Sequence, residues 1–86
     1  VAELSSGVTC SLMPNPATDM VTLSLDRALD GVVEFRNLVG QVAKRERIQA
    51  GVTQQAVNLD GLTEGIWLVS VASEGRVLAT QRLVIR

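Results

Sequence analysis

Apolar and polar residues alternate with period two through most of the chain. Val8, Cys10 and Leu12 share one face of an extended stretch, and Val21, Leu23 and Leu25 share one face of a second. Val33 and Phe35 repeat the spacing in "VVEFRN". The stretches "QVAKRERI", "VTQQAVNL", "IWLVSVAS" and "RVLATQRLVIR" follow, so that seven strands are predicted. No segment keeps apolar residues at helical spacing for three turns, and the supply of Val and Thr suits pleated backbone. Asp30-Gly31, Gly40, Gly51, Asp60-Gly61, Gly65 and Gly75 fall at the joints. Short strands separated by Gly-bearing turns at intervals of roughly ten residues predict an all-β fold, an immunoglobulin-like antiparallel β-sandwich. Leu23, Val33, Phe35, Leu62, Trp67, Val69, Val71, Leu83 and Ile85 are its expected core.

Three joints carry more detail. "NLVG" opens on Asn37 and closes on Gly40, the chemistry of a type I turn whose last position takes positive φ in a bulged hairpin. "SEGR", residues 73 to 76, joins the last two strands in the same manner. In "LTEGIWLVSV", Leu62 precedes the turn glycine Gly65 and Trp67 follows it. That is the arrangement of a corner plug, in which the aromatic ring packs under the turn while its polar atom bonds backbone upstream.

Between the first two strands stands "MPNPATD", residues 13 to 19. Proline presets its own φ and biases the preceding residue toward extended backbone, so Met13 and Asn15 are expected to be extended. Thr18 and Asp19 have short polar side chains able to bond nearby backbone and close a turn. The stretch reads as a rigid corner.

Composition narrows the possible functions. At 86 residues the chain is one domain, able to bury roughly 60 to 65% of its unfolded surface, enough for a small core. Eight basic against nine acidic residues leave a net charge of −1, and one Phe with one Trp makes no stacking platform, so nucleic acid is an unfavourable partner. No run reaches the ~20 apolar residues of a membrane-spanning helix, and direct membrane insertion is not expected. Cys10 is the one cysteine and reads as a buried structural thiol. With no His there is no imidazole base or metal ligand, and the carboxylates are dispersed. No catalytic, metal or cofactor site is expected. "KRER", residues 44 to 47, alternates its members between faces and reads as a solvated edge.

Taken in order, four blocks resemble the C-terminal sorting domain (type A) of cargo proteins of the type IX secretion system, also called the Por secretion system, of Bacteroidetes. Pro14, Asn15, Pro16, Ala17, Thr18 and Asp19 match the opening block of the family. Asn37, Leu38, Val39 and Gly40 match the second, where Gln41 departs from the usual Arg. Leu62, Gly65, Trp67, Val69 and Val71 match the third, with Trp67 for the usual Tyr. Gly75, Arg82, Leu83, Val84, Ile85 and Arg86 match the last.

The resemblance implies a non-catalytic address label over residues 8 to 86, preceded by a linker over 1 to 7 and by an N-terminal cargo in the same chain. It implies transit through the periplasm, recognition by the outer-membrane translocon, passage to a β-barrel shuttle protein, and usual removal by a surface sortase on the way to the cell surface or medium. It places partner binding at Arg82, Leu83, Val84, Ile85 and Arg86. Alternation points Gln81, Leu83 and Ile85 inward and Arg82, Val84 and Arg86 outward, and the terminal strand is the expected edge for pairing with another chain. Two readings from other classes stand beside it. One is an adhesion or spacer module of fibronectin type III character; the other is a carbohydrate-binding sandwich, which the missing aromatic face disfavours.

Overall fold

A computed structural model describes residues 8 to 86. The linker read over residues 1 to 7 lies outside the described residues. The described chain forms the strands β1 (Cys10–Met13), β2 (Met20–Leu25), β3 (Val32–Arg36), β4 (Val42–Arg47), β5 (Gln54–Asn58), β6 (Gly65–Ser73) and β7 (Arg76–Ile85). They make two antiparallel sheets, one ordered β1-β2-β5 and one ordered β4-β3-β6-β7. The all-β sandwich expected from the alternation is the observed fold.

The inward parity of each strand supplies the core. Cys10, Leu12, Val21, Leu23, Leu25 and Val57 come from the three-stranded sheet; Val33, Phe35, Trp67, Val69, Val71, Leu83 and Ile85 come from the other. Full burial of side chains of this size is worth about 1.5–3 kcal/mol each, so the interlayer is the main source of stability. Of the expected core residues, Leu62 alone is only partly buried, packed against the cluster. Ala17, Ile48 and Leu59 lie outside the strands and complete the core.

The sides of the sandwich are closed by amide side chains. On one side Gln55 of β5 accepts from Gln49 N (2.8 Å) and donates to Arg47 O (3.0 Å), spanning to the edge of β4. On the other, Gln81 of β7 donates to Cys10 O of β1 (3.0 Å). Both glutamines stand at inward-parity positions, where a polar side chain reaching the rim of the core satisfies backbone groups of the facing sheet.

Gly31, just ahead of β3, packs directly on the Ala72 carbonyl, and a Cβ there would collide with that oxygen. Ser73 Oγ donates to Asp30 O (2.6 Å) and fixes the same contact.

Candidate functional site

The terminal residues of β7 sort by parity. Leu83 (0% exposed) and Ile85 (4%) are in the core, Arg82 and Arg86 are exposed, and Val84 is half-buried. Only Arg82, Val84 and Arg86 of the expected partner-binding set therefore present side chains outward. Arg82 and Arg86 make no ion pair among the described residues. Gln81, grouped by alternation with the inward set, is largely exposed, with its amide turned onto Cys10.

The backbone edge of these residues differs from the accessible edge expected of the terminal strand. The chain leaves β1 and crosses to the other sheet, where residues 14 to 17 run along β7 as a strap. Asn15 Nδ2 donates to Arg82 O (2.9 Å), and Asn15 Oδ1 accepts from Val84 N (3.0 Å). Ala17 N donates to Val84 O (2.8 Å), and Arg86 N donates to Ala17 O (2.8 Å), a parallel bridge to Ile85. Four edge-facing backbone groups of residues 82 to 86 are thereby occupied. An edge in this state offers no template for strand addition along residues 82 to 86.

The remaining motif residues are brought together by architecture, at three separate joints. Pro14 and Pro16 bracket Asn15 and both follow cis peptide bonds. Thr18 Oγ1 donates to Asp19 Oδ1 (3.3 Å), so these two side chains bond each other and not the neighbouring backbone; the backbone carbonyl of Asp19 accepts from Leu59 N (2.9 Å). At the β3–β4 turn Asn37 Oδ1 accepts from Val39 N (3.0 Å) and Gln41 N (2.9 Å), and Asn37 Nδ2 donates to Gln41 Oε1 (3.0 Å). Gly40 N donates to Asn37 O (3.0 Å), and Gly40 has φ 97°, as the bulged turn requires. Trp67 Nε1 donates to Thr63 O (2.9 Å) with its ring buried, the corner plug expected from the spacing around Gly65. Leu62 N donates to Leu59 O (3.1 Å) and carries the chain into that corner.

Charge is unevenly placed. Glu34 of β3 is 6% exposed on the outer face of the four-stranded sheet. It accepts from Arg36 Nη2 (2.9 Å) and from Arg45 Nε (2.8 Å), with Arg45 Nη2 at 2.7 Å, so the buried carboxylate is paired on both oxygens. Burial pushes the Cys10 thiol above its ordinary value, and the Asp26 carboxylate adds to that push. A thiol in such a setting is a poor nucleophile at neutral pH. Among the described residues no three His, Cys, Asp or Glu side chains gather as a metal site.

Alternation alone did not single out Ala17, Gln55 or Glu34. The two amides that seal the rim, Gln55 and Gln81, carry a readable signal, a polar residue at a core-parity position. Ala17 carries none, because its burial comes from pairing with a strand 68 residues downstream.

A family model described as a secretion system C-terminal sorting domain matches residues 11–86. No curated protein matches the chain.

Proposed function

We propose a function from one premise: the chain belongs to the family of secretion system C-terminal sorting domains. The domain is a folded address label of the type IX pathway, read by the outer-membrane translocon while the cargo attached to its N-terminal side is in the periplasm. A β-barrel shuttle and a surface sortase then complete delivery to the cell surface or medium. The domain, residues 8 to 86, is the signal, and no catalysis is assigned to it. The match to the sorting family favours this reading over an adhesion module or a glycan-binding sandwich.

The observation that carries the mechanism is the division of labour within residues 82 to 86. Leu83 and Ile85 anchor the strand in the core, while Arg82, Val84 and Arg86 are held outward on a backbone whose edge groups are already bonded. Recognition in this reading uses side chains on a rigid surface. The test is to fuse residues 1 to 86 to the C-terminus of a periplasmic reporter in a type IX-competent bacterium. Delivery to the surface or medium is expected there, and retention in a strain lacking the translocon. Equal delivery in both strains would remove the sorting reading.

A further inference from the structure

We infer that the outer face of the four-stranded sheet, at the end bearing the β3–β4 turn, docks an acidic partner protein around an apolar centre. The inference rests on the sorting reading and specifies which surface of the label is read.

Register builds this surface. Val42, Arg36, Leu68 and Arg82 are successive cross-strand partners and form one row across all four strands. Beside that row Ile66 pairs with Val84. Ile66 is 42% exposed on an inner strand, Val42 is also exposed, and Leu68 and Val84 are half-buried. The β3–β4 turn at the same end exposes Leu38 and Val39. Apolar residues normally scatter singly over a small domain, so their collection at one end of one sheet face marks a contact surface.

Charge selects the occupant. Arg36 and Arg82 stand in the row at the turn end, Arg45 and Glu34 one row beyond, and Arg47, 3.8 Å from Asp30, at the far end of the face, in a chain whose net charge is −1. Glu34 is already shared by Arg36 and Arg45, which leaves Arg82 without an ion-pair partner among the described residues, directly beside Leu68. Arg36 and Arg82 flanking an apolar centre complement an acidic surface with an apolar anchor, the anatomy of a protein interface. A groove of about 400 Å³ further along this face, lined by Val32, Ala72 and Val77 and also by Glu34, Arg36 and Glu74, is a second depression on the same sheet. A polyanion needs the arginines but has no use for Ile66.

Strand addition is disfavoured at both edges of this sheet. The β7 edge is strapped over residues 82 to 86. On β4, Lys44 and Glu46 pair with the core residues Phe35 and Val33 and place charge on the inward side of the edge, where an added strand would have to continue the core.

The test measures surface delivery of the reporter fusion beside the thermal melting of each variant. Ile66→Glu, Ile66→Thr and Arg82→Glu are compared with Thr22→Glu and Ala56→Glu, exposed cross-strand partners on the opposite sheet. The expected result is a fall in delivery of about tenfold or more for the Ile66 and Arg82 variants, with melting unchanged, because truncating or reversing a central contact costs most of the affinity. The opposite-sheet variants deliver normally, and Arg82→Lys retains most delivery. Normal delivery by all the Ile66 and Arg82 variants overturns the inference while leaving the sorting reading intact. Loss with Arg82→Glu but not with Ile66→Thr replaces the protein partner with a polyanion and also overturns it. A parent fusion that reaches the surface without the translocon defeats the sorting reading, and this inference with it.

Discussion

Asn15 and Val84, 69 residues apart in the chain, are joined by a hydrogen bond of 3.0 Å from the Val84 amide to the Asn15 side-chain oxygen. The same side chain donates to Arg82 O, so one amide bridges two backbone groups of the terminal strand. Replacing Asn15 with Ala leaves both without that partner and is expected to cost about 1–2 kcal/mol, the lower part of the range because the site is exposed. Asn15→Asp keeps the acceptor but sets a carboxylate oxygen against the Arg82 carbonyl, and it is expected to recover little of the loss. Urea denaturation measures both. Hydrogen exchange at the Val84 amide should accelerate in Asn15→Ala, and unchanged protection there would show that the clamp contributes nothing.

Leu83 and the two flanking arginines separate folding from recognition. Leu83→Ala removes a fully buried side chain and is expected to cost about 2–4 kcal/mol, a large part of the ~5–10 kcal/mol available to such a domain. Export then fails because the label unfolds. Reversing Arg82 and Arg86 to Glu changes stability by less than about 1 kcal/mol, since neither guanidinium is buried. Export is still expected to fall. A double reversal that melts and exports like the parent would take these charges out of the signal.

Gly31→Ala is the backbone counterpart. The added methyl meets the Ala72 carbonyl, a backbone atom that cannot swing aside, so β3 and β6 must part locally. The expected cost is about 1–3 kcal/mol, read as a lower denaturation midpoint. Gly40→Ala tests a different demand at the neighbouring turn, where space is open but φ is 97°, and its cost is backbone strain.

The pH dependence at alkaline pH follows from Cys10. Its thiol pKa is raised in the fold, first by burial and then by Asp26, so the folded state holds the thiol proton more tightly than the unfolded chain. That contribution is complete below the unfolded value of about 8.5 and is lost as pH rises through the folded value. The chain has no Tyr or His, so few other groups titrate in this window. The urea midpoint of the parent should fall above pH 9 more steeply than that of Cys10→Ala. Alkylation by iodoacetamide at pH 8 should be slow until denaturant is added.

Much of the fold is legible because one face of each strand is buried, and a buried face forces period two into the sequence. That rule places Val33, Phe35, Val69, Val71, Leu83 and Ile85 inward, as found. It is silent on which strands neighbour one another, since the order β4-β3-β6-β7 depends on pairings between distant segments. It also misjudges Glu34. The outward parity is right, but the residue is buried because Arg36 and Arg45 fold over it, an effect of long side chains that no alternation records. For the candidate site, the parity of Arg82, Leu83, Val84, Ile85 and Arg86 could be read in advance. The strap over their backbone could not, because a proline-flanked asparagine looks like any turn until the strand it bonds is known.

The strap has a meaning in time as well as in space. A polypeptide is made from its N-terminus, so residues 14 to 17 exist before residues 82 to 86 have been added. β1 and β2 can pair as soon as both are present, being sequence neighbours. Ala17 and Asn15 have to wait for the last of these 86 residues before their hydrogen bonds can form, and the core waits with them for Leu83 and Ile85. Closing a loop of this length late is entropically costly and depends on the whole intervening sandwich being in place. A nascent chain interrupted short of residue 82 therefore carries an unlatched domain, and the finished fold certifies that synthesis has run through the label.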